Sequence, residues 1–171
     1  MPRTLFAATA ALALAATAPL AQQTASSITG TLGLDAAQWR LTAPDDGPQS
    51  GWRETETGRV LHMVGRPFEG AGDDDDLLSI TIRTTGGGDA VAAEAVEIRY
   101  APADGPEVMA SGPNADLTLT AFDLSDDELA VSGDLVATMT PGGADELIVE
   151  PGEDAVTFDG NFQATLIRQD D

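Results

Sequence analysis

Leu129-Ala130-Val131-Ser132-Gly133-Asp134-Leu135-Val136-Ala137-Thr138-Met139 places Leu129, Val131, Leu135, Ala137 and Met139 at every second position, with Gly133 in mid-run. Val156, 27 positions after Leu129, opens the same pattern: Val156, Phe158, Phe162, Ala164 and Leu166, with Gly160 at the equivalent place. Ile28, Gly30, Leu32 and Leu34 form a shorter echo. A period of two puts one set of side chains on one side of an extended strand, whereas a helix repeats every three or four residues. A glycine in such a run points to sharp twist, a bulge or close backbone approach. Three copies without a fixed period read as long strands of one domain, not as a repeat array.

The same alternation recurs elsewhere. Leu78, Ile80 and Ile82 alternate with Ser79, Thr81 and Arg83. Leu117, Leu119 and Ala121 alternate with Thr118, Thr120 and Phe122, which predicts that Phe122 lies on the polar face. Thr57-Gly58 reads as a turn between strands at 52–56 and 59–64. In the second of these, Val60, His62 and Val64 share a face and Leu61 and Met63 take the other, the mark of a central strand. Gly86-Gly87-Gly88-Asp89 and Pro102-Ala103-Asp104-Gly105 read as further turns. The acidic stretches 70–76 and 141–155 read as loops, with a short edge strand at Leu147-Ile148-Val149. The expected fold is all-β: an antiparallel β-sandwich of nine or ten strands, with a closed lipocalin-like barrel as the alternative. An outer-membrane barrel is disfavoured, because one Tyr and two Trp cannot furnish two aromatic girdles. The runs Gly133-Asp134-Leu135-Val136-Ala137-Thr138 and Gly160-Asn161-Phe162-Gln163-Ala164-Thr165-Leu166 resemble the closing strands of small exported bacterial β-sandwich domains of uncharacterised function. That resemblance implies fold class only.

The first 21 residues read as a cleaved secretory signal peptide. Arg3 supplies the positive start, and Leu5 to Ala18 is an uncharged apolar run too short to span a bilayer as a helix. The expected destination is the periplasm or the external medium, with one domain over residues 22–171 and no later apolar segment long enough to be a transmembrane helix. The chain has no Cys, so stability outside the cytoplasm rests on the core and not on disulfides.

Charge narrows the partners. The chain holds 29 acids against 8 basic residues, all Arg, for a net charge of −21. A balance so negative argues against nucleic acid and anionic membrane surfaces. The charge is also segregated. From Ala36 to Pro67, four acids face four Arg; from Phe68 onward, 24 acids face only Arg83, Arg99 and Arg168. The neutral stretch also contains both Trp and the sole His. Trp39, Arg40, Trp52, Arg53, His62 and Arg66 are therefore the candidate binding residues, as an aromatic–Arg patch suited to a protein partner or an envelope component. The competing role for both indoles is to anchor the core.

Catalysis finds little support in the residues. A single His without a Gly-x-Ser-x-Gly elbow gives no nucleophilic constellation, and zinc needs more His or Cys ligands than exist. The absence of Lys excludes a phosphate-binding Walker loop. No enzyme and no cofactor are expected. Asp73-Asp74-Asp75-Asp76 is the one acidic cluster that offers weak Ca²⁺ binding, against the alternative of a solvated loop. Two functions follow as expectations: a non-catalytic exported binding module, or a carrier holding a small apolar ligand in an interior cavity. A carboxylate-dependent hydrolase ranks third.

Overall fold

The computed structural model describes residues 26–41, 49–68, 76–86, 91–143 and 155–169. The predicted signal peptide, the strand at Leu147–Val149, the turn beyond Gly86 and Asp73, Asp74 and Asp75 lie outside the described residues. Among the described residues ten strands follow one another: β1 (Ser27–Leu32), β2 (Asp35–Leu41), β3 (Gly51–Glu54), β4 (Gly58–Pro67), β5 (Leu77–Thr85), β6 (Ala92–Ala101), β7 (Val108–Ser111), β8 (Ala115–Ser125), β9 (Glu128–Pro141) and β10 (Val156–Ile167). All pair antiparallel in one sheet. A single 3₁₀ turn, Gly112–Asn114, separates β7 from β8. Among the described residues no helix is long and apolar enough to cross a membrane.

The fold is thus all-β and antiparallel, with the expected strand count. The pairing order β10-β1-β2-β4-β5-β6-β7-β9 returns to its start because β9 also pairs β10. β3 lies against β4, and β8 against β9. Leu34, in the turn after β1, is fully exposed, but most of the alternating apolar residues turn to the inside of this circuit. Ile28, Leu61, Met63, Leu78, Ile80, Ile82, Ile98, Leu129, Leu135 and Phe158 are buried there. At roughly 25 cal/mol per Å² of apolar surface removed from water, this continuous interior is the main stabilising term.

The three echoing segments become the adjacent strands β9, β10 and β1. Gly30 stands directly opposite Gly160 across the β1–β10 ladder. A Cβ on Gly160 would meet the Thr29 carbonyl and lie 2.8 Å from the Gly30 Cα. A Cβ on Gly133 would lie 2.9 Å from the Phe162 ring. Close approach is therefore what these glycines provide.

One sequence expectation is corrected. The β8–β9 register shifts between Leu119 and Ala121, so an extra residue is accommodated there. Beyond the shift the alternation changes phase. Phe122 turns inward and packs against the core, while Ala121 faces out.

The two tryptophans mark the ends of the interior. Trp52 stands opposite Leu61 on β4, and Trp39 opposite Pro67. Six residues along a strand separate them, about 20 Å.

Candidate functional site

At the Trp39 end the sheet parts. β2 begins at Asp35, yet it pairs β4 only over Trp39–Leu41. Asp35–Gln38 pairs β1 along one edge; on the edge that faces β4, the Phe68 N–H donates to the Gln38 carbonyl at 3.3 Å. A cavity of about 630 Å³ opens here, lined by residues that include Leu32, Ala37, Trp39, Phe68, Asp76 and Tyr100. Its size falls within the range of small-molecule sites. Trp39 is buried, meeting Tyr100 edge-on at 6.5 Å and Phe158 at 6.1 Å. Phe68 is half exposed at the rim.

Asp76 organises this mouth. Its backbone takes φ +57°, a left-handed conformation that Asp tolerates better than most residues. The Trp39 indole N–H donates to its carbonyl at 3.0 Å. Its Oδ1 accepts the Tyr100 hydroxyl at 2.8 Å and the Ala103 N–H at 3.1 Å. Burial, aided by the bond to Asp76, pushes the Tyr100 phenol up to about 12. Of the proposed calcium ligands, Asp76 thus binds the protein's own donors.

The Trp52 end is closed. Trp52 is buried, and its indole N–H donates to the Asp127 carbonyl at 3.1 Å. The segment after β10 lies alongside β3: Trp52 and Arg168 form a parallel bridge, and the Gln169 N–H donates to the Trp52 carbonyl at 2.8 Å. The Arg59 and Arg168 guanidinium groups lie 5.8 and 5.5 Å from the Trp52 ring centre, within cation–π range. Arg59 is also 5.9 Å from the Phe122 ring. Arg168 reaches Glu54 at 3.1 Å.

The remaining predicted residues share the outer surface. Trp39 and Trp52 point inward, so their neighbours Arg40 and Arg53 point outward. Arg40 stands directly across from Arg66, and Arg53 from Val60. His62 falls between Gly51 and Thr81 in register, and Thr81 stands opposite Glu97. The His62 Nδ1 and Thr81 Oγ1 share a hydrogen bond of 3.1 Å. Burial lowers the His62 pKa, with nearby Glu97 opposing the shift. The same register adds Arg83 and Arg99, which stand opposite Val60 and Ser79. The outward side of β2 to β6 therefore carries five Arg, His62 and Glu97, with Arg99 paired to Glu97 at 2.7 Å and to Glu107, just before β7, at 3.6 Å. The outward side of β8, β9, β10 and β1 carries Asp116, Asp123, Glu128, Asp134 and Asp159, and no base.

The structure thus divides the predicted set in three. Trp39 belongs to the open cavity, Trp52 to the closed end, and Arg40, Arg53, His62 and Arg66 to the outer wall. The indoles are core anchors, so they do not supply the exposed aromatic part of a docking patch. Leu32, Phe68 and Tyr100 were not selected from the sequence, and neither were Arg83 and Arg99. Only strand register brings them to their sites. Among the described residues no group of three or more His, Cys, Asp or Glu is placed to hold a metal ion. Comparison with protein-family models, with curated proteins and with solved structures finds no match to this chain.

Proposed function

We propose that this protein is an exported, non-catalytic binding protein that holds a small, largely apolar ligand at the Trp39 end of its interior. The observation carrying the reading is the 630 Å³ cavity, to which Leu32, Ala37, Trp39, Phe68 and Tyr100 give apolar surface and Asp35, Gln38 and Asp76 polar surface. Apolar walls with a few convergent polar groups are the usual make-up of a small-molecule site. The one histidine supports binding over catalysis: it lies on the outer wall, bonded to Thr81, apart from the cavity. A neutral apolar fluorophore, N-phenyl-1-naphthylamine, tests the reading. Saturable one-to-one binding is expected, and Ala37→Trp, which fills the cavity, should abolish it without lowering the urea midpoint. Binding that Ala37→Trp leaves intact would reject the site.

A second reading rests on a different observation, the arginine-bearing outer wall of β2 to β6. This wall suits an anionic protein or envelope component, because charge complementarity sets specificity and association rate. Capture from an envelope fraction should identify a component that binds the wild type and a variant neutralised at Asp116 and Asp134, but not Arg53→Gln/Arg83→Gln/Arg99→Gln. Equal capture by all three proteins would dismiss the wall.

A further inference from the structure

The polar groups around the cavity are not balanced in sign. Two carboxylates, Asp35 and Asp76, border it, and no basic residue does so among the described residues. The hydrogens that its rings can donate are already committed. The Trp39 N–H goes to the Asp76 carbonyl, and the Tyr100 O–H to the Asp76 carboxylate. The Ala103 N–H goes to the same Oδ1. Beside Asp76, an anionic headgroup would therefore meet a carboxylate and no uncommitted ring donor, and burying it there would be strongly unfavourable. A cation meets the reverse. It finds the second oxygen of Asp76 and the π-electron density of the aromatic rim, both of which attract positive charge. The field of a molecule carrying −21 also favours its approach.

From this we infer that the cavity takes an organic amine, a molecule with an apolar body and a protonated ammonium that contacts the Asp76 carboxylate beside Tyr100. The inference rests on the cavity being a ligand site, and adds the charge and chemical class of what it holds. The apolar body occupies the space between Leu32, Ala37 and Trp39. The ammonium group stays at the mouth, where the carboxylate and partial contact with water spare it full desolvation. Asp76 is also fixed before the ligand arrives. Its backbone is pinned by Trp39 and its side chain by Tyr100 and Ala103, so little ordering accompanies binding.

Three probes of similar shape separate the possibilities: 1-naphthylmethylamine, 1-naphthalenemethanol and the 1-naphthaleneacetate anion, each titrated calorimetrically at neutral pH. The amine should bind at least tenfold more tightly than the alcohol, and the acetate should be the weakest. Asp76→Asn should bring amine and alcohol to parity. Asp159→Asn, which removes the same unit of charge from the outer surface of β10, should leave the preference intact. Tyr100→Phe keeps the carboxylate and frees it from its hydroxyl partner, so the preference should persist or grow. This variant also serves if Asp76→Asn fails to fold. Equal binding of amine and alcohol by the wild type would overturn the amine assignment while leaving the cavity a ligand site. So would a preference that survives Asp76→Asn, or one lost in a folded Tyr100→Phe. If none of the probes binds in a manner sensitive to Ala37→Trp, both the assignment and the ligand site fall together.

Discussion

Trp39 and Trp52 begin from the same local design and finish at unlike ends. Each is a buried indole on a strand next to β4, and each donates its N–H to the backbone carbonyl of an Asp. A left-handed Asp stands at each place: Asp76 itself, just before β5, and Asp126 beside Asp127. At Trp52 the chain beyond β10 folds alongside the indole, and two guanidinium groups stack on the ring. At Trp39 the strands diverge, two carboxylates face the gap, and a cavity remains. One end is filled, with two guanidinium groups against its indole, and the other is an acidic, open mouth. An anchor of the same kind is therefore sealed where its surroundings close over it, and walls an open cavity where they do not.

The sharpest way to break this contrast is to delete each indole. Trp52→Ala should lower the free energy of unfolding by about 3–5 kcal/mol, because its site is packed on every side. Trp39→Ala should cost less, since part of its surroundings is already open space, and should enlarge the cavity. Urea unfolding measures both, and equal losses would erase the distinction. The plug itself is tested by Arg168→Ala. Loss of its ring contact and of the exposed pair with Glu54 should cost about 1 kcal/mol. The same change should leave ligand binding at the far end untouched.

The mouth can be read through its phenol. Tyr100 is the sole tyrosine, so absorbance at 295 nm reports it alone. Its ionisation should centre near 12, and Asp76→Asn should move it down toward 10. A phenol with a raised folded pKa contributes stability that is complete below about pH 10 and is lost as the pH climbs through 12. A midpoint near 10 in the wild type would remove the packed Tyr100–Asp76 contact. The smallest effect belongs to the outer wall. The folded pKa of His62 is depressed, so its contribution to stability is present above about pH 6.5 and is lost as the pH falls toward the lowered folded value. His62→Gln should flatten that slope, and an NMR titration of the single imidazole should show the depressed midpoint directly.

Much of the scaffold was legible in the sequence, because a half-buried strand writes its pattern locally. Leu78, Ile80 and Ile82 alternate as read and are buried as read. His62 lies in a central strand flanked on both sides. Phe122 escaped because the β8 bulge depends on pairing with β9, and no residue near it announces a change of phase. The candidate site was half legible for a related reason. Trp39 and Asp76 stood out as residue types. Their meeting with Tyr100 and Leu32 requires strands far apart in sequence to come into register. The charge segregation noticed between 36 and 67 was also incomplete. Arg83 and Arg99 look like stray bases in an acidic half until β5 and β6 set them beside β4.

The facing glycines of β1 and β10 bear on how this molecule assembles. They sit in a seam that joins the first and last strands, where the Thr165 N–H reaches the Ser26 hydroxyl across 139 positions of chain. Contacts of such high sequence separation make folding slow, because the intervening chain must be ordered before they form. β10 pairs with β9 as well as with β1, so its arrival completes two ladders in one event. Neither ladder can therefore close until Val156–Ile167 is in place, so the two ends of the circuit are joined by its C-terminal strand.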